Sequence, residues 1–527
     1  MAAPTCPTIS QPSRSKRTVV LLAPESSPGC QRTAGLQQIL LYEQENPVQP
    51  EFETIRLNRL RNGLAPEGFA IGVGTYNQSG TIYMAPTGIP NIAPAWSLLL
   101  RACGWQQTRY TKSTDTTTPG TVAVTAPASG DAGELDVAGG TYKYKAAYIP
   151  ATRSSGLGET LPVSITASYI APNAGKGYLK LDFSSGGAGF KAADAIVRLY
   201  RTKTSASSST TYYYVGEVLV NAGGTDFSRV LIGGSDSKGL KVDTGYVIED
   251  RTADINLAEL EPTSTAGDGY VEWIPVNEGH DSLTVHNYLD FRMFPATGVR
   301  GTIAFSGDSG QPFKGDFTGR GVYNESSGVN NPDVLATPLF PPRLLNAGVR
   351  IMTSGDAVIY GVLGGTDTRW TSPHTVTDNL IVKNINMNLG VDPQRRNDMN
   401  QTSGVIEYAI LDQYQPRITI NVEADKQTTA GSRQDWLDHF VDGLKYQIEY
   451  VVAPSGIATA AGTGQRFDIT AGADPAGGNS YGCQLVEAPQ LVTVDGGVRC
   501  WQLVFEPSET DTGVAGASLG FLKIRQS

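Results

Sequence analysis

A serine attacks a carbonyl only when a histidine takes its proton and a buried carboxylate orients that histidine. Ser309, in the string Gly307-Asp308-Ser309-Gly310-Gln311-Pro312, comes nearest to that setting. The histidines are His280, His286, His374 and His439, and none falls in an HExxH or other close ligand spacing. Asp435, Asp438 and Asp442 recur at helical spacing, as an acid and base pair of a glycoside-cleaving cleft could. On a short helix with an apolar opposite face, such residues are its solvated side. Gly361, Gly364 and Gly365 lack a following helix and a P-loop lysine, so phosphate binding is not read from them. Tyr212, Tyr213 and Tyr214 could stack on sugars, and buried and edge positions along one strand explain them equally.

The Ser309 string resembles the GDSGGP box of trypsin-like serine proteases, with Gln311 breaking the pattern. His280 and His286 lie too close upstream to occupy a separate barrel. The plainer reading is a turn: Val299, Ile303 and Phe305 belong to one strand, Phe313 and Phe317 begin the next, and Gly, Asp, Ser and Pro connect them. No enzyme, metal site or cofactor is therefore expected. Sequons at Asn77, Asn324 and Asn400 are read as chance matches, because no export signal is visible.

The elements that would carry these residues are strands. Hydrophobic residues are 40% of the chain and charged ones only 17%, with 60 Gly and 31 Pro, a balance suited to short strands and tight turns. At 527 residues, more than one core is expected. The net charge is −10 and no basic stripe is present, which argues against a phosphate-gripping nucleic-acid binder. The five cysteines, Cys6, Cys30, Cys103, Cys483 and Cys500, are scattered and never in CxxC spacing, so synthesis in a reducing cytoplasm is expected. No membrane-spanning stretch is expected either.

Period-two alternation marks half-buried antiparallel strands at Ile385, Met387 and Leu389, at Ile418, Ile420 and Val422, at Tyr446, Ile448, Tyr450 and Val452, and at Trp501, Leu503 and Phe505. Two short helices are expected. Residues 95–103 place Trp96, Leu99, Leu100 and Cys103 on one face and stop at Gly104. From Ser432, a plausible N-cap, Trp436, Phe440 and Leu444 share a face flanked by Leu437 and Val441.

Residues 111–269 differ in texture. After the Thr-rich stretch 113–118, Tyr142, Tyr144, Ala146 and Tyr148 alternate with Lys143, Lys145 and Ala147, and Leu179, Leu181 and Phe183 with Lys180 and Asp182. Further strands at 196–200 and 212–218, separated by Gly/Ser turns, fit an immunoglobulin-like or fibronectin-like β-sandwich inserted into a discontinuous core of residues 1–110 and 270–527.

Four segments together resemble the tail tube proteins of long-tailed (siphovirus-type) bacteriophages. They are residues 53–66 with the Gly/Thr strand region to Met84; the helical segment Pro94-Ala95-Trp96-Ser97-Leu98-Leu99-Leu100-Arg101-Ala102-Cys103-Gly104-Trp105; residues 282–323; and Pro338-Leu339-Phe340-Pro341-Pro342. The resemblance covers 1–110 and 270–350 well and the remainder by β character.

It implies a mainly β tail-tube core of sandwich or barrel type, forming homohexameric rings that stack into a DNA-conducting tube in the virion tail, made in the host cytoplasm. Implied partners are other copies of the chain, a tape-measure protein, and tail terminator or tip proteins, with genomic DNA passing without specific binding. The acidic balance would repel phosphates over a Debye length of about 8 Å. By analogy, Arg59, Arg61, Asn62, Pro66 and Glu67 make the ring-stacking loop, and the helices of Trp96, Leu99 and Leu100 and of Trp436 and Phe440 pack behind the barrel. The alternatives are a terminator or adaptor ring, or a surface carbohydrate-binding adhesin.

Overall fold

The computed structural model describes residues 18–32, 36–39, 49–56, 69–113, 120, 122–125, 135–136, 141–150, 158–165, 169–170, 176–203, 210–232, 239–265, 268–289, 292–324, 327–328, 347–353, 359–361, 378–399, 405–411, 414–424, 435–453, 464–472, 482–494, 497–508 and 522–527. The protein is mainly β, with two short α-helices among these residues. The segment 59–67, with Arg59, Arg61, Asn62, Pro66 and Glu67, lies outside them, as do Ser432, His374, Gly364, Gly365, Asn400 and 338–342.

One antiparallel layer runs, strand beside strand, through Gln49–Arg56, Phe69–Tyr83, Lys314–Tyr323, Arg292–Asp308, Val382–Asn388, Arg417–Glu423 and Val498–Pro507. A second runs through Gly348–Thr353, Lys445–Val452, Phe467–Ala471, Leu522–Gln526, Tyr270–Pro275 and Trp105–Lys112. The short strand Cys483–Leu485 pairs with a member of each and ties them into one hydrogen-bonded system.

Period-two alternation accounts for the burial. Ile385, Met387 and Leu389 point inward while Asn386 and Asn388 are exposed; Ile418, Ile420 and Val422, with Leu503 and Phe505, join the same core cluster. Trp501, expected inward as well, is only partly buried, because it lies at the sheet end beside the exposed Leu491.

The first helix, α1 (Ser97–Ala102), is shorter than expected and buried on every side. The one-sided face expected for it is therefore a correction: α1 is enclosed by Trp105–Lys112, Arg292–Asp308 and Thr18–Pro24. Even Arg101 is inside, its Nε 2.7 Å from Asp281 Oδ2. Gly104 ends α1 at φ +83°, where the hydroxyl of Tyr414 lies 3.0 Å from the Gly104 carbonyl. Trp96 precedes α1, its ring centroid 5.9 Å from Trp273 and 5.7 Å from Phe467.

The second helix, α2 (Trp436–Val441), has Asp435 at its N-cap without a side-chain cap bond. Trp436 is fully buried against His439 and Tyr446, and Phe440 and Leu444 are partly buried against the core. Leu437 and Val441 face solvent, Val441 at 81% exposure.

Strands drawn from residues 123–250 build two further antiparallel sheets. One runs Val163–Ser164, Tyr144–Ile149, Ile196–Arg201, Tyr213–Val220, Phe227–Ile232. The other runs Leu240–Val242, Val247–Asp250, Leu179–Asp182, Ala123–Thr125. Their inner faces share a separate hydrophobic cluster including Tyr144, Leu181, Phe183, Val197 and Val218, which makes a sandwich. The expected alternation breaks at Ala147, which is fully buried. It meets Tyr200, Tyr212 and Tyr214 on the other side of that sheet.

Candidate functional site

Among the described residues, those with catalytic potential lie on separate elements. Ser309 sits exposed in the hairpin turn between Arg292–Asp308 and Lys314–Tyr323, with Gly310 at φ +81° and the Gln311 amide donating to the Asp308 carbonyl at 3.0 Å. His280 Nε2 lies 2.8 Å from the Val276 carbonyl and 3.3 Å from the Tyr414 hydroxyl, His286 Nε2 is 3.2 Å from Gln31 Nε2, and His439 packs in α2. Asp438 and Asp442 are exposed and Asp435 half-buried. Tyr212 and Tyr214 are buried, with the Tyr214 hydroxyl donating to Glu217 at 3.2 Å. Among the described residues, no group of three or more His, Cys, Asp or Glu could hold a metal ion, and no helix is long and apolar enough to cross a membrane.

A cleft of about 400 Å³ opens between Glu25–Pro28, Gly279–Ser282, Arg300 and the segment from Glu407 to Ile410. Its charged side chains each already have partners. Glu25 accepts from the Gly29 and Gly298 amides at 2.8 and 3.0 Å and from the Ser282 and Thr284 hydroxyls at 2.6 and 2.9 Å. Burial nevertheless raises its pKa, because desolvation outweighs those four donors. Arg300 donates to Glu407 at 2.7 Å and to the carbonyls of His280 and Tyr408 at 2.7 and 2.6 Å. Asp281 is taken by Arg101. Such a set fastens the chain segments that meet at the cleft.

The outer face of the first layer is largely polar, although Asn421 and Val504 on it are buried. Register places Asp308, Asn384, Asn421, Gln502 and Gln490 in one row across adjacent strands. The next row is Tyr83, Lys314, Ser306, Asn386, Thr419 and Val504, and the one after it Thr81, Asp316, Ala304, Asn388 and Arg417. Ser79, Thr318 and Thr302 follow. The hydroxyl of Thr81 donates to Asp316 within its row. Amides and hydroxyls dominate, Ala304 and Val504 are the only aliphatic members, and Lys314 and Arg417 balance Asp308 and Asp316. Sequence reading found the asparagines only as the polar half of an alternation; pairing register makes them a surface.

The layer ends at Gln49–Arg56, which among the described residues pairs on one edge only, with Phe69–Tyr83. Glu51, Phe52 and Glu53 are all exposed there; Phe52, at 50% exposure, touches Tyr323 edge-on with centroids 5.6 Å apart. No protein-family model matches the chain, and no curated protein matches it in sequence.

Proposed function

We propose that this chain is a structural subunit that joins its copies through sheet edges into rings, and that the rings stack as a bacteriophage tail tube. The observation that carries the reading is the edge Gln49–Arg56, with Phe52 exposed at its middle. An eight-residue strand with one open edge and an exposed aromatic is a liability in an isolated molecule and an asset where another strand pairs with it. The sequence resemblance gives the geometry: lateral pairing closes a ring, and head-to-tail stacking extends it.

The amide face supports the same reading. Turned toward a channel, it offers phosphates no cluster of cations to bind and no apolar patch to adhere to. The sandwich of residues 123–250 is then an immunoglobulin-like or fibronectin-like decoration on the tube.

Negative-stain microscopy of the purified chain tests the proposal. Rings or tubes are expected, and Phe52→Asp is expected to reduce them without lowering the thermal midpoint of the subunit. A persistent monomer even with tail partners present overturns it, and single rings that never stack assign the chain to a terminator or adaptor.

A further inference from the structure

Trp105–Lys112 is the strand from which the sandwich departs, and it is gripped on both edges. Tyr270–Pro275 pairs with it antiparallel along its length, and Thr263–Thr265 pairs parallel at its outer end, both opposite Tyr110. The Ser113 amide donates to the Thr265 carbonyl at 2.8 Å. The returning chain also bonds the sandwich itself: the Tyr214 amide donates to the Glu259 carbonyl at 2.7 Å and the Glu261 amide to the Tyr212 carbonyl at 3.1 Å.

Arg109 crosses from this stem into the sandwich. Its Nη1 donates to Glu159 Oε2 at 2.9 Å, its Nη2 to the Leu260 carbonyl at 2.8 Å, and its Nε lies 3.2 Å from Glu259 Oε1. Glu159 is shared with Arg198, whose Nη1 is also 2.9 Å away and whose Nε pairs with Glu217 at 3.0 Å. The Tyr200 hydroxyl donates to the other oxygen of Glu159. The Arg109 and Glu159 side chains are 3% and 0% exposed.

The backbone of Glu159 is held as firmly. Asn91 Nδ2 donates to the Glu159 carbonyl at 2.9 Å, and Asn91 Oδ1 accepts from the Glu159 amide at 2.7 Å. Asn91 thus pairs with that residue as a strand neighbour would. Gly158 leaves room for it, since a Cβ there would fall 2.1 Å from Asn91 Oδ1.

Units joined within a chain commonly meet through small, polar, mobile interfaces. Here, rotation would strand several desolvated charges without partners, a far costlier event than parting an exposed ion pair. We infer that a buried ionic clasp, Arg109 and Asn91 on one side and Glu159, Arg198 and Tyr200 on the other, locks the sandwich in one orientation on the core, making it a rigid arm. The inference goes beyond the assembly proposal and does not depend on it.

Pulsed electron-electron spin resonance on the doubly labelled chain, diluted with unlabelled copies so that only distances within one chain are read, tests it. Nitroxides are placed at Ser79→Cys and Ser185→Cys in a background with Cys6→Ser and Cys30→Ser. A single narrow distance distribution is expected, broadening at least twofold in Arg109→Met. It should stay narrow when the surface pair of the sandwich is removed by Lys180→Met with Asp243→Asn. A broad distribution in the unmodified clasp, or one that stays narrow in a folded Arg109→Met, overturns the inference. If Arg109→Met does not fold, Asn91→Ala takes its place, with the same broadening expected and an unchanged width overturning the inference.

Discussion

Phe317 fills space that two glycines leave open. A Cβ at Gly319 would lie 2.6 Å from its ring, and one at Gly301 2.7 Å from it and 2.3 Å from the Thr318 carbonyl. Gly319→Ala is therefore expected to destabilise the subunit by about 1–3 kcal/mol in denaturant titration, through overpacking. Phe317→Leu in the same chain should recover part of that loss. Two histidines give the residue scale its pH dependence. Burial depresses the pKa of His286; at His280 burial, helped by Arg300, prevails over the hydrogen bond to Val276. With the folded pKa below the unfolded one, the unfolded chain binds protons first. Stability present above the ordinary histidine range is then lost as pH falls toward the depressed value. The double variant His280→Gln, His286→Gln should lose less stability than the parent between about pH 7 and pH 5, measured by chemical denaturation. At this scale the sequence showed the turn around Ser309, because glycine and proline signal their geometry locally. It gave no sign of Glu25, Arg109 or Glu159 as interior residues, because a charged type reads as surface until the fold brings its partners from distant segments.

Strands were the most legible elements, since two-residue alternation requires no knowledge of the neighbouring strand. Pairing partners were not legible: Arg292–Asp308 lies beside Lys314–Tyr323 through a local turn, but Phe69–Tyr83 reaches the same sheet from far upstream. The helices were foreseen in place and overestimated in length. In α1 the expected stripe failed because the surrounding strands bury the polar side too. In α2 the anchor is Trp436, fully buried beside Tyr446, which in turn meets Phe505 at 5.2 Å. Trp436→Ala is expected to cost about 3–5 kcal/mol, read from the shift in denaturation midpoint. Leu437→Ser and Val441→Ser should leave stability nearly unchanged, as both side chains are already exposed.

For the whole molecule, a mainly β architecture was readable from composition and spacing, whereas the amide face was not, because a shared face exists only once register is fixed. Its neutrality can be tested directly. Under the assembly proposal, Asn386→Lys with Asn388→Lys should convert weak DNA retention into tight, salt-sensitive retention, seen as a steeper fall of affinity with added salt in a filter-binding assay. The strand Leu522–Gln526 adds a consequence in time. It sits between Phe467–Ala471 and Tyr270–Pro275, and the side-chain Nε2 of Gln526 lies 3.2, 3.3 and 3.2 Å from the Ile89, Ile92 and Gly464 carbonyls. The second layer therefore stays incomplete on the ribosome until nearly all of these residues have emerged, while the sandwich, whose strands pair mainly among themselves, is free to fold much earlier. Translation thus supplies the subunit with a built-in delay: the arm is ready before Leu522–Gln526 emerges to complete the second layer.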